Sequence, residues 1–410
     1  MNNRAPQGLQ LRVDVEQWPL RVPFRITGQT IVALDVVVVT LTRNGLTGRG
    51  EAAGVDYRGD DIPAMRAQLE AARSAIEAGL TRHDLPRLLG AGGARNALDC
   101  ALWELESREA RRPVWQLTGL ARPRPLLTTC TIGADRAAAM AARALEFPEA
   151  KAIKLKLTGE AEDAERVRAV RAARPEVWLG VDANRGFDRA QLRALMPVLV
   201  AAGVELIEQP FPVGQEPLLT ELRAPIPIAA DESAQVTEDL PQLVGRFNAV
   251  NIKLDKCGGL TEALRMAAAA HRLGLDTMIG NMVGTSLAMA PAFLVGQSCR
   301  IVDLDGPLLL ASDRSPAVSY VDGSLLCDDR VWGYAADNGD TACACRSRSI
   351  AAAGWEPPRL PCSPWASRSR LRLQIRRRAS RAYSPRPRSS TGTTIFPNRF
   401  ATASRVPSAP

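Results

Sequence analysis

The stretches AIKLKLTG at residues 152–159 and WLGVDAN at residues 178–184 decide the fold, because each is an apolar run that ends in charged side chains. Three more runs repeat the pattern in order, and they read ELIEQP, IPIAADES and VNIKLDK. A sixth run, RIVDLDG, ends at residue 306. Apolar strands with ionisable groups only at their C-terminal ends are typical of a parallel barrel with its active site at that rim. The six runs therefore predict such a barrel.

The same rhythm extends over most of the second part of the chain. From residue 126 onward, strand-like segments alternate with amphipathic segments rich in Ala, Arg and Leu. Eight strands are predicted near 126–132, 151–157, 177–182, 204–208, 226–231, 248–254, 276–281 and 300–305. Eight strands that alternate with helices predict an α/β fold of the modified (β/α)8, TIM-like barrel type, and a doubly wound sheet is the alternative.

An α+β domain is predicted ahead of the barrel. Residues 9–57 alternate between apolar and polar in the manner of β-strands, with a hairpin turn at Asn44–Gly45. Between two of these strands, WPLRVPFRITGQT at residues 18–30 is rich in Pro and Gly, and we expect an exposed loop there. Helical patterns follow at 61–79 and 95–111.

Four parts of the chain follow from these patterns. We predict a capping domain at 1–120, the barrel at 121–315, a closing hairpin at 316–335 that returns to the cap, and a tail at 336–410. Residues 341–410 contain fourteen Arg, no Lys and one acid, whereas the other 340 residues have a net charge of −5. The tail has no hydrophobic periodicity, so we expect disorder; a native tail and a frame-shifted translation product are both compatible with its composition.

Composition also bears on location and partners. The start of the chain lacks the apolar core of a signal peptide, and its most apolar stretch, residues 31–41, is too short for a membrane span and contains Asp35. The cysteines outside the tail are scattered in apolar runs without metal-ligand spacing, as expected for reduced core cysteines. We therefore expect a cytoplasmic protein without a membrane partner. The sequence leaves the oligomeric state open, and a homo-oligomer is compatible with it.

Lys154 and Lys156 are two residues apart, so both ammonium groups point to one face of their strand. If that face is the barrel interior, crowding by a second cation and a metal lowers the pKa of a lysine and lets it act as a base near neutrality. The alternative is an edge strand with two solvated lysines.

Asp182, Glu208 and Asp231 each stand at the end of a successive apolar strand. Oxygen ligands from three strands suit Mg²⁺, and the absence of His or Cys beside them argues against zinc. For any one of them alone, the alternative is a helix cap or a loop acid.

Lys253 repeats the inward spacing on the sixth strand. Lys156 and Lys253 would then lie on opposite sides of a metal at the mouth. One lysine could remove a proton from a tetrahedral carbon and the other could deliver one to its opposite face, while the metal stabilises the enolate. The alternative for Lys253 is a surface lysine, and we expect Lys256 to be one.

Asp303 and Asp305 share one face of the last strand. Two carboxylates opposite a lysine and metal cluster suit a substrate with both an ammonium and a carboxylate group. The alternative is a turn, because Gly306 and Pro307 follow directly.

These motifs together resemble the enolase superfamily in its muconate-lactonizing branch. K-x-K, VDAN, IEQP, ADES and NIKLDKCGG occur in that order, and NALDCALWELESREARRPVWQLTG is similar to the end of that family's capping domain. VDLDGPLLL resembles the D-x-D signature of dipeptide epimerases of the L-Ala-D/L-Glu type. The resemblance covers about residues 9–334.

The resemblance implies a role for each candidate residue. Lys156 and Lys253 would be the two acid/base catalysts, and Lys154 would support the substrate carboxylate. The resemblance further implies that Mg²⁺ would be bound by Asp182, Glu208 and Asp231. The α-ammonium of a dipeptide would be held by Asp303 and Asp305. In the lid formed by residues 20–30, Arg25 is the candidate for contact with the substrate, although this lid differs from that of Ala-Glu epimerases.

Three other functions stay open from the same residues, with one more from the tail. Muconate cycloisomerisation, o-succinylbenzoate synthesis and N-acylamino acid racemisation share the lysines and the metal, and their substrates lack a free α-ammonium. An Arg-rich tail could also bind nucleic acid in a salt-dependent manner, but few aromatic residues accompany the arginines to stack on bases. We prefer a dipeptide epimerase, because the paired lysines around three strand-end carboxylates occur together with the D-x-D motif.

Overall fold

The computed structural model describes residues 8–335 of the 410-residue chain, so the predicted tail at 336–410 lies outside the described residues. The first part of the described chain is an antiparallel sheet packed on helices. Its strands, in the order β1–β2–β3, are Gln10–Ile26 (β1), Gln29–Arg43 (β2) and Leu46–Ala52 (β3). Its helices are Ile62–Glu77 (α1), Leu85–Leu88 (α2), Gly93–Ala110 (α3) and Val114–Leu117 (α4), with single turns of 3-10 helix at Asp56–Arg58 and Arg82–Asp84.

The hairpin of β1 and β2 overturns one prediction. Residues 18–30 are not an exposed loop, because β1 continues through them to Ile26 and the chain turns only at Gly28. Leu20 and Phe24 in this segment are buried. The strand tolerates its prolines because β1 is an edge strand and its register with β2 breaks between Pro19 and Phe24.

Other features of the first part agree with the sequence. The Asn44–Gly45 turn joins β2 to β3, with both residues at positive φ (53° and 81°), as a tight hairpin turn requires. The two predicted helices correspond to α1 and α3. Helix α3 lies directly on β3, and a Cβ at Gly50 would stand 2.0 Å from the carbonyl oxygen of Ala97, so only glycine permits this approach.

The second part is one sheet of eight parallel strands in sequence order, and the predicted fold class is confirmed. The strands of this sheet are Thr129–Ile132 (β5), Ala152–Lys156 (β6), Trp178–Asp182 (β7), Leu206–Glu208 (β8), Ile228–Ala230 (β9), Ala249–Ile252 (β10), Asp276–Ile279 (β11) and Ile301–Val302 (β12). The helices that follow α4 are Ala137–Leu145 (α5), Asp163–Ala173 (α6), Arg189–Ala201 (α7), Pro217–Leu222 (α8), Leu240–Leu243 (α9), Leu254–Cys257 (α10), Leu260–Arg272 (α11), Ser286–Gly296 (α12) and Gly306–Leu309 (α13), with a 3-10 turn at Thr237–Asp239. The bounds of the four predicted parts of the chain stay a prediction.

Side chains join the first and last strands of the parallel sheet. The hydroxyl of Thr128 accepts from the amide of Leu304 (3.0 Å), and the amide of Thr131 donates to Asp305 Oδ2 (2.5 Å). These bonds stand where a backbone ladder between β5 and β12 would otherwise close the barrel. They also fix the strand-end carboxylates of the last strand at the rim.

A small third sheet completes the described chain. Ser319–Val321 (β13) and Ser324–Leu326 (β14) form the predicted hairpin, and β14 pairs with Leu126–Leu127 (β4). The predicted strand at 126–132 is thus divided between this sheet and the barrel. Among the described residues, no helix combines the length and apolar character needed for a membrane span.

Candidate active site

The predicted lysines and carboxylates meet at the carboxyl ends of the parallel strands. Lys156, Asp182 and Glu208 are register partners across β6, β7 and β8, so their side chains lie in one row. Asp231 directly follows β9 and Lys253 directly follows β10. All five side chains are buried, with residues at most 7% exposed. Such burial of charge is tolerated only where opposite charges meet.

On the β6 side, Lys156 is held by two oxygens. Its Nζ lies 2.6 Å from Asp182 Oδ2 and 3.0 Å from Asn184 Oδ1. The amide of Asn184 in turn donates to Asp182 Oδ1 at 2.8 Å. Asn184 has a positive φ of 42°, a conformation that Asn tolerates better than most residues and that turns its side chain back to the lysine. The alternative of solvated lysines on an edge strand is excluded, because β6 is an interior strand.

On the β10 side, Asp231 is held by two lysines. Lys253 Nζ lies 2.7 Å from Asp231 Oδ2, and Lys256 Nζ lies 2.5 Å from Asp231 Oδ1. The expectation that Lys256 is a surface residue is wrong: it is fully buried and also donates to the backbone oxygens of Asp231 and Asn251. The short helix α10 that begins after Lys253 turns the chain, so that Lys256 points back toward the barrel.

Lys154 and Glu208 occupy the interior between these two sides. Lys154 donates to Asp303, and its Nζ lies 3.3 Å from Glu208 Oε2 and 3.8 Å from Asp182 Oδ2. Asn251 Nδ2 donates to Glu208 Oε1 at 2.6 Å. Glu208 therefore contacts a lysine on one oxygen and an amide on the other.

Electrostatics at the mouth differ from the expectation of lowered lysine pKa values. Burial alone would lower the pKa of Lys253, but the carboxylates of Asp231 and Glu208 outweigh it, so the pKa lies above its ordinary value. For Lys154, burial would likewise lower the pKa, but the charges of Asp303, Glu208 and Asp182 together outweigh it and raise the pKa. The pKa of Lys256 is lowered, because burial dominates there.

Burial and the neighbouring charges also shift the pKa values of the acids. Burial raises the pKa of Glu208 to about 7, and the neighbouring charge of Asp182 adds to this shift. Burial would also raise the pKa of Asp231, but Lys253 and Lys256 reverse the direction and hold it below its ordinary value. The pKa values of Glu208 and Asp231 are therefore shifted in opposite directions.

This donor set fits a divalent cation such as Mg²⁺, because it consists of carboxylate oxygens on neighbouring strands. Within residues 8–335, however, no three acidic, histidine or cysteine side chains are already gathered with the geometry of metal ligands. The reason is that each predicted ligand is turned toward a lysine. The assignment of Asp182, Glu208 and Asp231 as the ligands therefore stays a prediction.

The two aspartates of D-x-D differ in their contacts. Asp303 accepts from Lys154 and from the hydroxyl of Thr129, and Lys154 outweighs burial to lower its pKa. Asp305 accepts from the amide of Thr131, and burial with the charge of Asp303 raises its pKa to about 6. Strand β12 ends at Val302 and α13 begins at Gly306, so the two aspartates, each 3% exposed, lie in the buried connection between these elements and not on a face of the last strand as predicted.

Arg25 lies on the hairpin that reaches the mouth, outside the lysine and carboxylate cluster. Its guanidinium pairs with Glu160 at 2.8 Å, and both side chains are 44% exposed. At the tip of the same hairpin, Thr27 Oγ1 lies 3.0 Å from the carbonyl oxygen of Leu157 and 2.9 Å from that of Ala183. These two carbonyl groups belong to the residues that follow Lys156 and Asp182.

Several site residues escaped the sequence interpretation. Asn251 is two residues before Lys253, so the same period-two spacing that identified Lys253 could have placed it inside the barrel. Thr27 and Tyr57 could not have been found this way, because they reach the mouth from the antiparallel part of the chain through contacts distant in sequence.

Comparisons with known proteins cover most of the described chain. Residues 9–119 match the family model described as mandelate racemase / muconate lactonizing enzyme, N-terminal domain. Residues 134–329 match the model described as enolase C-terminal domain-like. The boundary between the two matches falls near the predicted end of the cap at residue 120.

Two curated proteins illustrate the relatives. The L-Ala-D/L-Glu epimerase of Escherichia coli K12 is 39% identical over 317 residues, which are 77% of this chain and 98% of that protein. An N-acetyl-D-glutamate racemase from a Pseudoalteromonas species is 41% identical over 255 residues, which are 62% of this chain and 80% of that protein.

Two solved structures share the fold. An enolase family member from Agrobacterium tumefaciens with homology to dipeptide epimerases, bound to sodium and L-Ala-L-Glu, has a TM-score of 0.77 and 41% identity over 79% of this chain and all of that chain. The dipeptide epimerase from Methylococcus capsulatus, complexed with Mg and L-Arg-D-Lys, has a TM-score of 0.72 and 32% identity over 78% of this chain and 97% of that chain.

Proposed function

This chain belongs to the mandelate racemase / muconate lactonizing enzyme family of the enolase superfamily, and we propose that it is a Mg²⁺-dependent dipeptide epimerase. It inverts the α-carbon of the C-terminal residue of an L-Ala-L-Xaa-type dipeptide. Lys156 and Lys253 are the two bases: one removes the α-proton and the other returns a proton to the opposite face.

The observation that carries this proposal is the placement of the two lysines around the barrel. β6 and β10 are four strands apart in a sheet of eight, so Lys156 and Lys253 approach the mouth from opposite sides. A planar carbon formed between them can therefore be protonated on either face. One lysine would suffice for simple exchange on one face, whereas inversion needs both.

Asp182, Glu208 and Asp231 would hold Mg²⁺, as the complex of the Methylococcus capsulatus relative with Mg supports. A bound Mg²⁺ supplies positive charge beside the substrate carboxylate, where negative charge develops as the α-proton leaves. Lys154 adds a further positive charge on that side. Lys253 Nζ lies 2.7 Å from Asp231 Oδ2, and a bound cation that shared the charge of Asp231 would weaken this hold and leave Lys253 able to exchange protons with the substrate.

Asp303 and Asp305 would receive the α-ammonium of the dipeptide. Arg25 would receive an acidic side chain of the substrate after it leaves Glu160, and that exposed pair opposes the move by less than about 1 kcal/mol. We place the reaction in the cytoplasm, where cysteines such as Cys100 and Cys257, both free in this structure, stay reduced.

N-acylamino acid racemisation is the second candidate, and one contact favours it. Lys154 already neutralises Asp303, so the mouth offers less free negative charge to an α-ammonium than two unpaired aspartates would. The similarity to an N-acetyl-D-glutamate racemase points the same way. No contact within residues 8–335 favours cycloisomerisation, o-succinylbenzoate synthesis or nucleic-acid binding by the tail.

The test is incorporation of deuterium at the α-carbon. We expect that the full-length protein with Mg²⁺ in deuterated water labels and epimerises at least one member of an L-Ala-L-Xaa panel, and that EDTA abolishes both and excess Mg²⁺ restores them. Asp303→Asn should then abolish dipeptide turnover. Labelling of N-acetylated amino acids alone, unaffected by Asp303→Asn, would replace the epimerase with the racemase. Absence of labelling in both panels would refute both.

A further inference from the structure

Asp255 connects the barrel to the antiparallel part of the chain beside Lys253. A single oxygen of its carboxylate, Oδ1, accepts from the amides of both Ala53 (2.9 Å) and Gly54 (3.0 Å). Asp255 is 6% exposed and belongs to α10, the short helix that begins after Lys253. Lys253, two residues before Asp255, and Lys256, directly after it, are fixed as well, because both contact Asp231.

The two amides begin a loop, residues 53–60, which we call the cap loop. Gly54 has φ of 81°, and a Cβ there would lie 2.1 Å from the carbonyl oxygen of Asp60, so the root of the loop requires glycine. Val55 and Asp60 pair across the loop, with the amide of Val55 2.9 Å from the oxygen of Asp60. The loop is thus closed on itself, so that a shift of residues 53 and 54 would shift the whole loop.

The far end of the cap loop lies over the mouth between the connections that follow β7 and β9. The Tyr57 ring stacks on the guanidinium of Arg185 (4.8 Å), and its hydroxyl accepts from Gln235 at 3.1 Å. Arg58 donates to the side-chain oxygen of Gln235 at 2.9 Å. Burial and then the charge of Asp231 raise the pKa of Tyr57, so the ring lies within the field of the proposed site.

We propose that Asp255 is a positioning residue that sets the cap loop, and with it Tyr57, in register with Lys253, an inference that rests on the proposed function. The carboxylate lies two residues after the base and grips the loop through backbone amides. Loss of this contact therefore displaces the root of the loop beside Lys253, on the β10 side of the mouth. The contact needs an acceptor oxygen and does not need a negative charge.

Charge is unnecessary because one oxygen accepts both bonds. Burial raises the pKa of Asp255 to about 7, and the carboxylates of Asp60 and Glu51 add to the shift. A proton on Oδ2 leaves Oδ1 as an acceptor. Asp255→Asn keeps that acceptor, whereas Asp255→Ala removes it.

Asp99 provides the matched control. It is a buried aspartate that joins the same two parts of the chain by accepting from the amide (2.9 Å) and hydroxyl (2.6 Å) of Thr261. Its partner opens helix α11, beyond the segment that contacts Asp231. Asp99→Ala should lower stability as Asp255→Ala does, without the specific effect on the cap loop.

The experiment combines hydrogen exchange of the full-length protein with α-deuteration of both dipeptide epimers. We expect that Asp255→Ala speeds amide exchange at residues 53–60 by about tenfold or more, and that Asp99→Ala does not. Asp255→Ala should also lower kcat/KM by about 10- to 100-fold for the epimer that Lys253 deprotonates, and less for the other, because the displacement is on one side. Asp255→Asn should keep both properties within about twofold of the wild type.

Tyr57→Ala should also lower kcat/KM for the epimer that Lys253 deprotonates, and the double variant with Asp255→Ala should lose no more for that epimer than either single variant. The inference is overturned if Asp255→Asn folds and is impaired as severely as the alanine variant, or if Asp99→Ala exposes residues 53–60 equally. Should Asp255→Ala fail to fold, Asp255→Asn and Tyr57→Ala still decide it. Hydrogen exchange needs no substrate. If the protein labels no dipeptide, the proposed function is refuted, whereas hydrogen exchange at residues 53–60 still tests the role of Asp255.

Discussion

The two sides of the barrel mouth hold their lysines differently. On the β6 side, Lys156 alone neutralises Asp182 closely, since the next ammonium, that of Lys154, stands 3.8 Å away. On the β10 side, Asp231 has both Lys253 at 2.7 Å and Lys256 at 2.5 Å. If Lys253 moves toward a substrate, Asp231 therefore keeps a second close ammonium group, that of Lys256. If Lys156 moves, Asp182 keeps only the more distant Lys154.

The coverings of the two sides also differ. The β1–β2 hairpin tip reaches the β6 side through Thr27, and the cap loop reaches the β10 side through the bonds of Ala53 and Gly54 to Asp255. Both coverings come from the antiparallel part of the chain. The comparison indicates that the two bases are chemically alike but are supported by separate elements, so each side can be perturbed alone.

The largest expected effect comes from removing either base. Lys156→Ala and Lys253→Ala should each lower the rate of epimerisation by about 10²- to 10⁴-fold, since inversion needs an acid and a base on opposite faces. Initial rates from both dipeptide epimers measure this. Lys151→Ala, which removes an exposed lysine paired with Asp322, is the control and should be unaffected. A normal rate in either base variant would remove that lysine from the mechanism.

The next effect is a difference in unfolding free energy, measured without Mg²⁺, between lysine variants of the two sides. Lys156→Met leaves the buried Asp182 with only the more distant Lys154, at 3.8 Å, and should cost about 3 kcal/mol of unfolding free energy. Lys253→Met leaves Asp231 with Lys256 and should cost about 1 kcal/mol, near that of one lost hydrogen bond. Urea unfolding in EDTA measures both values. Equal losses would show that Lys256 does not compensate, which would contradict the asymmetry.

A smaller effect is expected at the hairpin tip. Thr27→Val keeps the shape of the side chain and removes the hydroxyl that contacts Leu157 and Ala183, so one hydrogen bond of about 1 kcal/mol is lost. We expect KM to rise about fivefold, and Thr27→Ser to restore it. If Thr27→Val instead slows only the epimerisation of the epimer that Lys253 deprotonates, then the hairpin tip does not support the β6 side, and the comparison of the two sides is wrong.

The smallest effect concerns Arg25, at the outer edge of the same side. Arg25→Ala should raise KM for an acidic dipeptide by about threefold and leave a hydrophobic dipeptide unchanged, because an exposed charge contributes little. Steady-state kinetics with L-Ala-L-Glu and L-Ala-L-Leu provide the measurement. Glu160→Ala, which frees the guanidinium, is the matched control. Equal effects of Arg25→Ala on both dipeptides would exclude a contact with the side chain.

The rows of charged residues were predictable because they depend on local rules. The period of two along a strand and the parallel order of strands suffice to bring Lys156, Asp182 and Glu208 together, as the register confirms. The hairpin turn at Asn44–Gly45 was predictable for the same reason, since two residues determine it.

The coverings of the mouth were not predictable from local rules. Strand β1 continues through Pro19 and Pro23 only because it is an edge strand and pairs with β2, which composition does not show. Lys256 is buried because helix α10 turns it toward Asp231, a partner twenty-five residues earlier. Both depend on contacts between segments far apart in the sequence, which no pattern within one segment contains.

The most direct test of the two-base account is stereospecific α-proton exchange in the single-lysine variants. In deuterated water with Mg²⁺, the wild type should label the L,L and L,D epimers of one dipeptide. Lys156→Ala should label just one epimer and Lys253→Ala just the other, because each remaining amine reaches one face. If both variants label the same epimer, or if either still labels both, the lysines do not stand on opposite sides of the stereocentre and the account is wrong.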